Sequence, residues 1–247
     1  MIFQVAITRF ETPERLTPNS ANFFRGVLGA VLHRDMELYR KCFDPGWASG
    51  PSGYRNAPRP FVLRHRERNL ELITFSSESH NTFVHGLLLA CPMEIQTAES
   101  LTLDAAGKEW SGRARLAFIS PTALKSGGAI AEKPEFKILL PRLAERISAL
   151  GRLYQEWPAS LDLSELAHAA ARVELLGYEW NPVSGERRQS ARSGHSHDLR
   201  GYTGWAEYAG PLGRLMPLLE IGRYTGVGRN TVWGNGEIRI IESSIDQ

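Results

Sequence analysis

Near its C-terminal end the chain reads Gly222-Arg223-Tyr224-Thr225-Gly226-Val227-Gly228-Arg229-Asn230-Thr231-Val232-Trp233-Gly234-Asn235-Gly236, then Glu237-Ile238-Arg239-Ile240-Ile241. Five glycines, two arginines and two aromatic residues thus lie between a helix-like segment and a strand-like one. Glycine adopts positive φ and permits close approach of backbone to a ligand or another strand. Arginine presents a planar fork that matches phosphate oxygens, and tyrosine and tryptophan stack on bases. The segment reads as a loop that grips a polyanion; the plainer alternative is a turn that only closes a sheet. It is not a dinucleotide fingerprint, which needs a strand before the glycines and a helix after them. Here a helix precedes and a strand follows. The Gly-Lys-Ser/Thr ending of a phosphate loop is also missing.

Upstream of this loop the order of elements decides the fold. Ile2 to Phe10 reads as a strand, and Asn19-Ser20 caps a helix from Ala21 to Tyr39. Phe61 to His65 and Leu70 to Phe75 alternate as strands. Asn81 to Cys91 reads as a short helix, although its Val and Leu content also permits a strand, and Leu101 to Asp104 closes the set. The second half repeats this order. Gly112 to Ile119 is a strand ended by Ser120-Pro121. Pro134 to Tyr154 carries Leu139, Leu143, Ile147 and Leu150 at helical spacing. A further short helix falls within Gln155 to Ala171. Arg172 to Trp180 and Leu199 to Tyr208 are strands, Pro211 to Ile221 is a helix, and the glycine loop leads into the last strand. Two β-α-β-β-α-β units in tandem predict an α+β protein of two ferredoxin-like (RRM-like) domains, residues 1–108 and 109–247. That fold hosts many activities and names none.

Composition narrows the field. At 247 residues, 42% apolar and 23% charged, the chain is ordinary for a globular protein. No apolar run approaches the roughly 20 residues of a membrane span. Met1 to Ile7 reads as a first strand, not a signal peptide. Cys42 and Cys91 lack metal-ligand spacing and read as buried thiols of a reducing cytoplasm. Net charge is only +2, but of 29 basic residues just five are lysine, leaving 24 arginines. They cluster: Arg55, Arg59, Arg64, Arg66 and Arg68 in one stretch, Arg187, Arg188, Arg192 and Arg200 in another. Such clusters are the electrostatic footprint of nucleic-acid binding. Alternation places Arg64 and Arg66 on one face of their strand. The stretch from Glu186 to His197 is basic and polar, either an element that orders on RNA or a solvated hairpin; His195 and His197 alone are a weak metal signal.

On the first helix, steps of about 100° put Phe23, Phe24, Val27, Leu28, Val31 and Leu32 on one half. Arg25, Gly29 and His33 fall on the other, joined by Arg40 if the helix runs that far; Arg34 flanks the histidine. Gly26 and Gly29 cost helix stability, a cost that close approach of a strand, a loop or RNA explains. A histidine among arginines suits RNA scission by the RNA's own 2′-hydroxyl. The histidine moves a proton and the arginines stabilise charge on phosphorus. No metal or other cofactor is called for, and the sequence has no carboxylate cluster or zinc set. A surface histidine without catalytic work is the alternative.

Several segments together resemble a known family. These are Phe24-Arg25-Gly26 with Gly29 in the first helix, Ala57-Pro58-Arg59-Pro60-Phe61-Val62-Leu63-Arg64, and Gly201-Tyr202 with Gly204 ahead of the terminal glycine loop. In these, and in its tandem plan, the chain resembles the CRISPR repeat-processing endoribonucleases of the RAMP superfamily over most of its length. The short length and arginine-rich inserts resemble the type IV variants. The resemblance implies an enzyme that binds a repeat stem-loop and cuts at the 3′ base of the stem. It implies a 5′-hydroxyl and a cyclic phosphate as ends, and often product retention with other effector subunits. It points to His33 as the catalytic histidine, with Arg25, Arg34 or Arg40 acting electrostatically in its place. It makes Gly226, Gly228, Arg223 and Arg229 of the loop RNA-backbone ligands, with Arg239 on the adjacent strand. Two other readings stay open: a non-catalytic RAMP subunit holding guide RNA, and an α/β protein whose loop takes a small phosphorylated ligand.

Overall fold

The structure is a computed structural model. It describes residues 1–17, 20–43, 57–183, 187–189, 196–198 and 200–245, the two three-residue pieces as backbone only. Two compact units form. One comprises Met1–Leu103, Ser148–Ser160 and Val232–Gly234, the other Asp104–Ile147, Leu161–Thr231 and Asn235–Gln247.

The first unit runs β1 (Ile2–Glu11), α1 (Ser20–Leu32), α2 (Met36–Phe43), β2 (Phe61–Arg66), β3 (Asn69–Thr74), α3 (Ser77–Ala90) and β4 (Glu94–Asp104). The sheet order is β2-β3-β1-β4. β3 pairs antiparallel with β1 (Phe10↔Leu70, Thr8↔Leu72) and with β2 (Leu63↔Leu72). With a side-chain period of two, this register turns Phe10, Leu70, Leu72, Phe61 and Leu63 towards the helices, where all are buried in one cluster. α1 answers with Ala21, Phe24, Leu28 and Leu32, spaced three and four apart as an amphipathic helix requires. α3 comes close to α1 because residue 86 is glycine: a Cβ there would stand 2.7 Å from Val31. Truncating a buried aromatic such as Phe83 in this core costs on the order of 3–5 kcal/mol. On the opposite face of the sheet, Trp157 meets the Phe3 ring edge-on at 5.8 Å and donates its indole N–H to the Ile2 carbonyl at 2.6 Å.

α1 is shorter than the sequence implies. It stops at Leu32, and α2 begins after a turn at 33–35. The cause is Asp35, whose carboxylate accepts from the Glu37 and Leu38 amides at 3.1 and 3.0 Å. A side chain that captures these amides starts a new helix instead of extending the old one.

The second unit repeats the plan. It has β5 (Gly112–Thr122), a small hairpin β6–β7 (Lys125–Ser126, Ala129–Ile130), α4 (Phe136–Tyr154), whose residues from Ser148 on belong to the first unit, and α5 (Leu163–Ala171). β8 (Glu174–Val183), a hairpin β9–β10 (Arg187–Gln189, Ser196–Asp198), β11 (Gly201–Gly210), α6 (Met216–Thr225) and β12 (Ile238–Ile245) follow. The sheet order is β12-β5-β11-β8. Ala114, Leu116 and Phe118 of β5, with Ala206 and Tyr208 of β11, are buried together with Phe136, Leu139, Leu143 and Leu218 of the helices. β5 continues through Ser120-Pro121, where the sequence implies its end. The ladder with β11 is irregular there, stepping from Phe118↔Gly204 to Thr122↔Tyr202, and such an irregularity tolerates a residue without an N–H. α6 starts at Met216, later than the sequence implies, with a proline in its first turn.

Candidate active site

The turn between α1 and α2 presents a histidine beside a run of rings. His33 is exposed, and its amide closes α1 on the Gly29 carbonyl at 3.0 Å. Its ring lies 5.0 Å from that of Tyr39. Tyr39 stacks on Phe43 at 5.6 Å with 9° between the planes. These two stand four residues apart in α2, so they share one side of it. Phe43 folds back against α1 beside Gly29, where an added Cβ would sit 3.4 Å from its ring; the small residue is explained by this ring. Among the described residues nothing lies within 4 Å of the Cβ that Gly26 would carry.

Arg25 lies across this row. Its guanidinium carbon is 5.3 Å from the centre of the Phe43 ring and 5.6 Å from that of Trp233. Burial lowers its pKa, and the neighbouring Arg59 charge lowers it further, while Tyr39 acts the other way. Among the described residues no carboxylate pairs with Arg25. Arg59 is half-buried and donates to the Ala57 carbonyl at 3.3 Å. Arg25 is thus a partly desolvated guanidinium with a second positive charge near it, an arrangement that favours an approaching anion. Nearby, the Tyr154 hydroxyl bonds to both the Lys41 and Pro58 carbonyls, at 3.2 and 3.0 Å. It holds the end of α2 to the approach to β2. The Lys41 ammonium is ion-paired with Glu78.

The glycine-rich segment has a different internal logic. Gly226, Gly228, Gly234 and Gly236 all have positive φ, between 67° and 85°. A Cβ on Gly236 would stand 1.9 Å from the Val227 carbonyl, and one on Gly228 2.6 Å from that of Ala123. The Val227 amide donates to Gly236 at 2.9 Å, Gly236 to Pro121 at 3.1 Å and Arg229 to Ala123 at 3.3 Å. Arg146 binds the Thr225 carbonyl at 2.9 Å. These glycines let backbone meet backbone, and Gly226 itself is buried. The arginines around them point outward: Arg229 is exposed, Arg223 is paired with Glu220 at 2.8 Å and Arg239 with Glu237 at 3.1 Å.

Of the residues expected from sequence, Arg25, Arg59 and His33 belong to this one neighbourhood of the first unit. Arg34 is exposed in the turn and Arg40 is exposed on α2, not on an extension of α1. Arg64 is only 11% exposed and lies 3.5 Å from Glu71; Arg66 is exposed at the end of β2. Arg187 and Arg188 lie on β9, described as backbone only, and Arg192, Arg55 and His195 fall outside the described residues. The sequence reading missed Tyr39, Phe43 and Tyr154, and took Trp233 as an aromatic able to stack on bases, not as a neighbour of Arg25. Of the three missed, only Tyr39 and Phe43 carried a signal, their spacing of four. Among the described residues no three His, Cys, Asp or Glu gather as metal ligands, and no helix is long and apolar enough to cross a membrane.

Two four-stranded antiparallel sheets of one strand order, each with helices packed against it, put the protein in the tandem ferredoxin-like class. Solved structures share this build. A Thermus thermophilus Cas6 (TTHB231), solved as a product complex, superposes with a TM-score of 0.63 at 20% identity, over 97% of this chain and 99% of that one. A second Cas6 (TTHA0078), also a product complex, gives 0.57 at 18% identity, over 98% and 100%. Compared with curated proteins by sequence, the chain has no match. Residues 116–238, from β5 through the glycine-rich segment to the start of β12, match the model of the CRISPR-associated endoribonuclease Cas6. The chain belongs to that family.

Proposed function

We propose that this protein binds the stem-loop of a CRISPR repeat and cuts the precursor RNA by attack of the RNA's own 2′-hydroxyl, with no metal ion taking part. The 2′-oxygen bonds to phosphorus as the bond to the 5′-oxygen breaks. The 2′-proton leaves, the 5′-oxygen gains a proton, and the products carry a cyclic phosphate and a 5′-hydroxyl. His33 moves one of these protons, a role worth about 10²–10⁴ in rate. Arg25 and Arg59 hold the phosphate and stabilise the charge that grows on it, each such donor being worth about 10²–10³. Arg34 and Arg40 add positive potential around the turn. Arg223, Arg229 and Arg239, with Arg66 and the β9 arginines, track the backbone of the bound RNA, and the cut guide stays bound as part of an effector complex.

The observation that carries this reading is the desolvated Arg25 guanidinium beside Arg59, in one neighbourhood with His33. It agrees with family membership and with relatives whose structures are product and substrate-mimic complexes. The test is single-turnover cleavage of an end-labelled hairpin repeat RNA by H33A and R25A, with affinity measured separately on an uncleavable 2′-deoxy RNA. The expected result is a fall in rate of roughly 10²-fold or more with affinity nearly kept. Wild-type rates in both variants contradict the assignment. Binding without any cutting by the wild type establishes instead a non-catalytic guide-RNA subunit.

A further inference from the structure

We infer that Trp233 is a positioning residue for cleavage: its indole and the Phe43 ring hold the Arg25 guanidinium between them and aim its N–H edge at the scissile phosphate. The inference rests on the proposed function and deepens it.

The rings lie 5.3 and 5.6 Å from the guanidinium carbon, within the range of cation–π attraction. Arginine stacks on aromatic faces through its plane and bonds anions through its edge. Ring contacts therefore fix the side chain without consuming its donors, as a carboxylate partner would. Trp233 is itself held. It ends a one-turn 3-10 helix, Thr231–Trp233, and packs against the core of the first unit together with Val232. The next residue, Gly234, has φ 80° and sits so close to β2 that a Cβ would stand 2.7 Å from the Leu63 carbonyl. This piece of the glycine-rich segment is thus locked against β2 while its indole faces Arg25. A displacement of about 1 Å in a group that positions a substrate can cost roughly 100-fold in rate, so a loosened Arg25 shows in the chemical step.

The test compares W233L, W233F, R25A and W233L/R25A in single-turnover cleavage of hairpin repeat RNA at saturating protein. Affinity for the 2′-deoxy RNA and thermal stability are measured alongside. The expected pattern is a rate about 10–100-fold lower for W233L with affinity within a few-fold, and most of the rate regained in W233F, which keeps a ring. The double variant is no slower than R25A alone, because both changes remove one device. Should W233L not fold, W233M answers the same question with an apolar side chain that has no ring face. Full-rate cleavage by W233L or W233M, or losses that add to that of R25A, overturns the inference while leaving the proposed function standing. An inert wild type overturns both.

Discussion

Gly26 and Gly236 make a matched pair in which the same substitution has opposite consequences. Gly26 lies inside α1 with none of the described residues within 4 Å of the position a Cβ would take. Alanine there removes the entropic cost of a helical glycine and should stabilise the protein by about 0.5–1 kcal/mol. For a chain of this size that raises Tm by about 2–4 °C per kcal/mol. Gly236 has φ 73°, and its Cβ would fall 1.9 Å from the Val227 carbonyl oxygen. The left-handed backbone alone costs an L-residue about 1–2 kcal/mol. Relieving the overlap also loosens the bonds from Val227 to Gly236 and from Gly236 to Pro121, at 2.9 and 3.1 Å, each worth about 0.5–1.5 kcal/mol. G236A should therefore lose about 2–5 kcal/mol. Thermal unfolding of both variants under identical conditions measures the pair, and hydrogen exchange at the Val227 amide localises the loss. A G236A protein as stable as wild type refutes the argument that these glycines serve backbone packing. A destabilised G26A refutes the open setting of α1. The same G26A protein reports on RNA: weaker binding despite greater stability marks this face of α1 as one that RNA approaches.

Two further predictions concern titration. His80 is pinned between the Thr8 and Thr74 hydroxyls at 3.1 and 2.8 Å, and burial lowers its pKa below the ordinary 6.5. The unfolded chain then binds this proton at higher pH than the folded one, so stability rises with pH. The contribution is whole above about pH 6.5 and is lost as pH falls through the lower folded pKa. Unfolding midpoints should drop between about pH 7.5 and 5, and H80Q should flatten that drop; an unchanged slope in H80Q contradicts the account. Cys42 is buried and free, and burial pushes its thiol up to about 12. Iodoacetamide at about pH 8 should leave it unmodified in the native protein and label it after unfolding, since the thiolate is the reactive form; rapid native labelling at Cys42 contradicts its burial.

The order of elements was legible because alternation and helical spacing are local signals. Ile2–Glu11 and Phe136–Tyr154 are long enough to display them. The break at residues 33–35 was less visible, because it turns on whether Asp35 bonds the Glu37 and Leu38 amides or faces water. The glycine-rich segment announced positive φ but not its purpose. Only the pairing of Val227 with Gly236 and the approach to Ala123 reveal backbone packed on backbone. The site was half legible. Arg25 lies in α1 and His33 directly follows its last residue, so helical spacing still pointed to both, and Arg59 belongs to a recognisable basic stretch. Trp233 lies 208 residues from Arg25 along the chain, and Tyr154 is likewise distant from the Pro58 carbonyl it binds. Partners of that kind are set by tertiary folding, to which periodicity is blind.

Metal-independent cleavage by the substrate's own 2′-hydroxyl has a distinctive requirement for that one hydroxyl and for no divalent ion. It is tested most directly by incubating the purified protein in excess EDTA with two labelled hairpin repeat RNAs, one all-ribose and one with a single 2′-deoxy at the scissile nucleotide. The expected result is a single cut in the all-ribose RNA, leaving a cyclic phosphate and a 5′-hydroxyl, and an intact deoxy RNA bound with comparable affinity. Cleavage of the deoxy RNA, or cleavage that EDTA abolishes and a divalent metal ion restores, would contradict it.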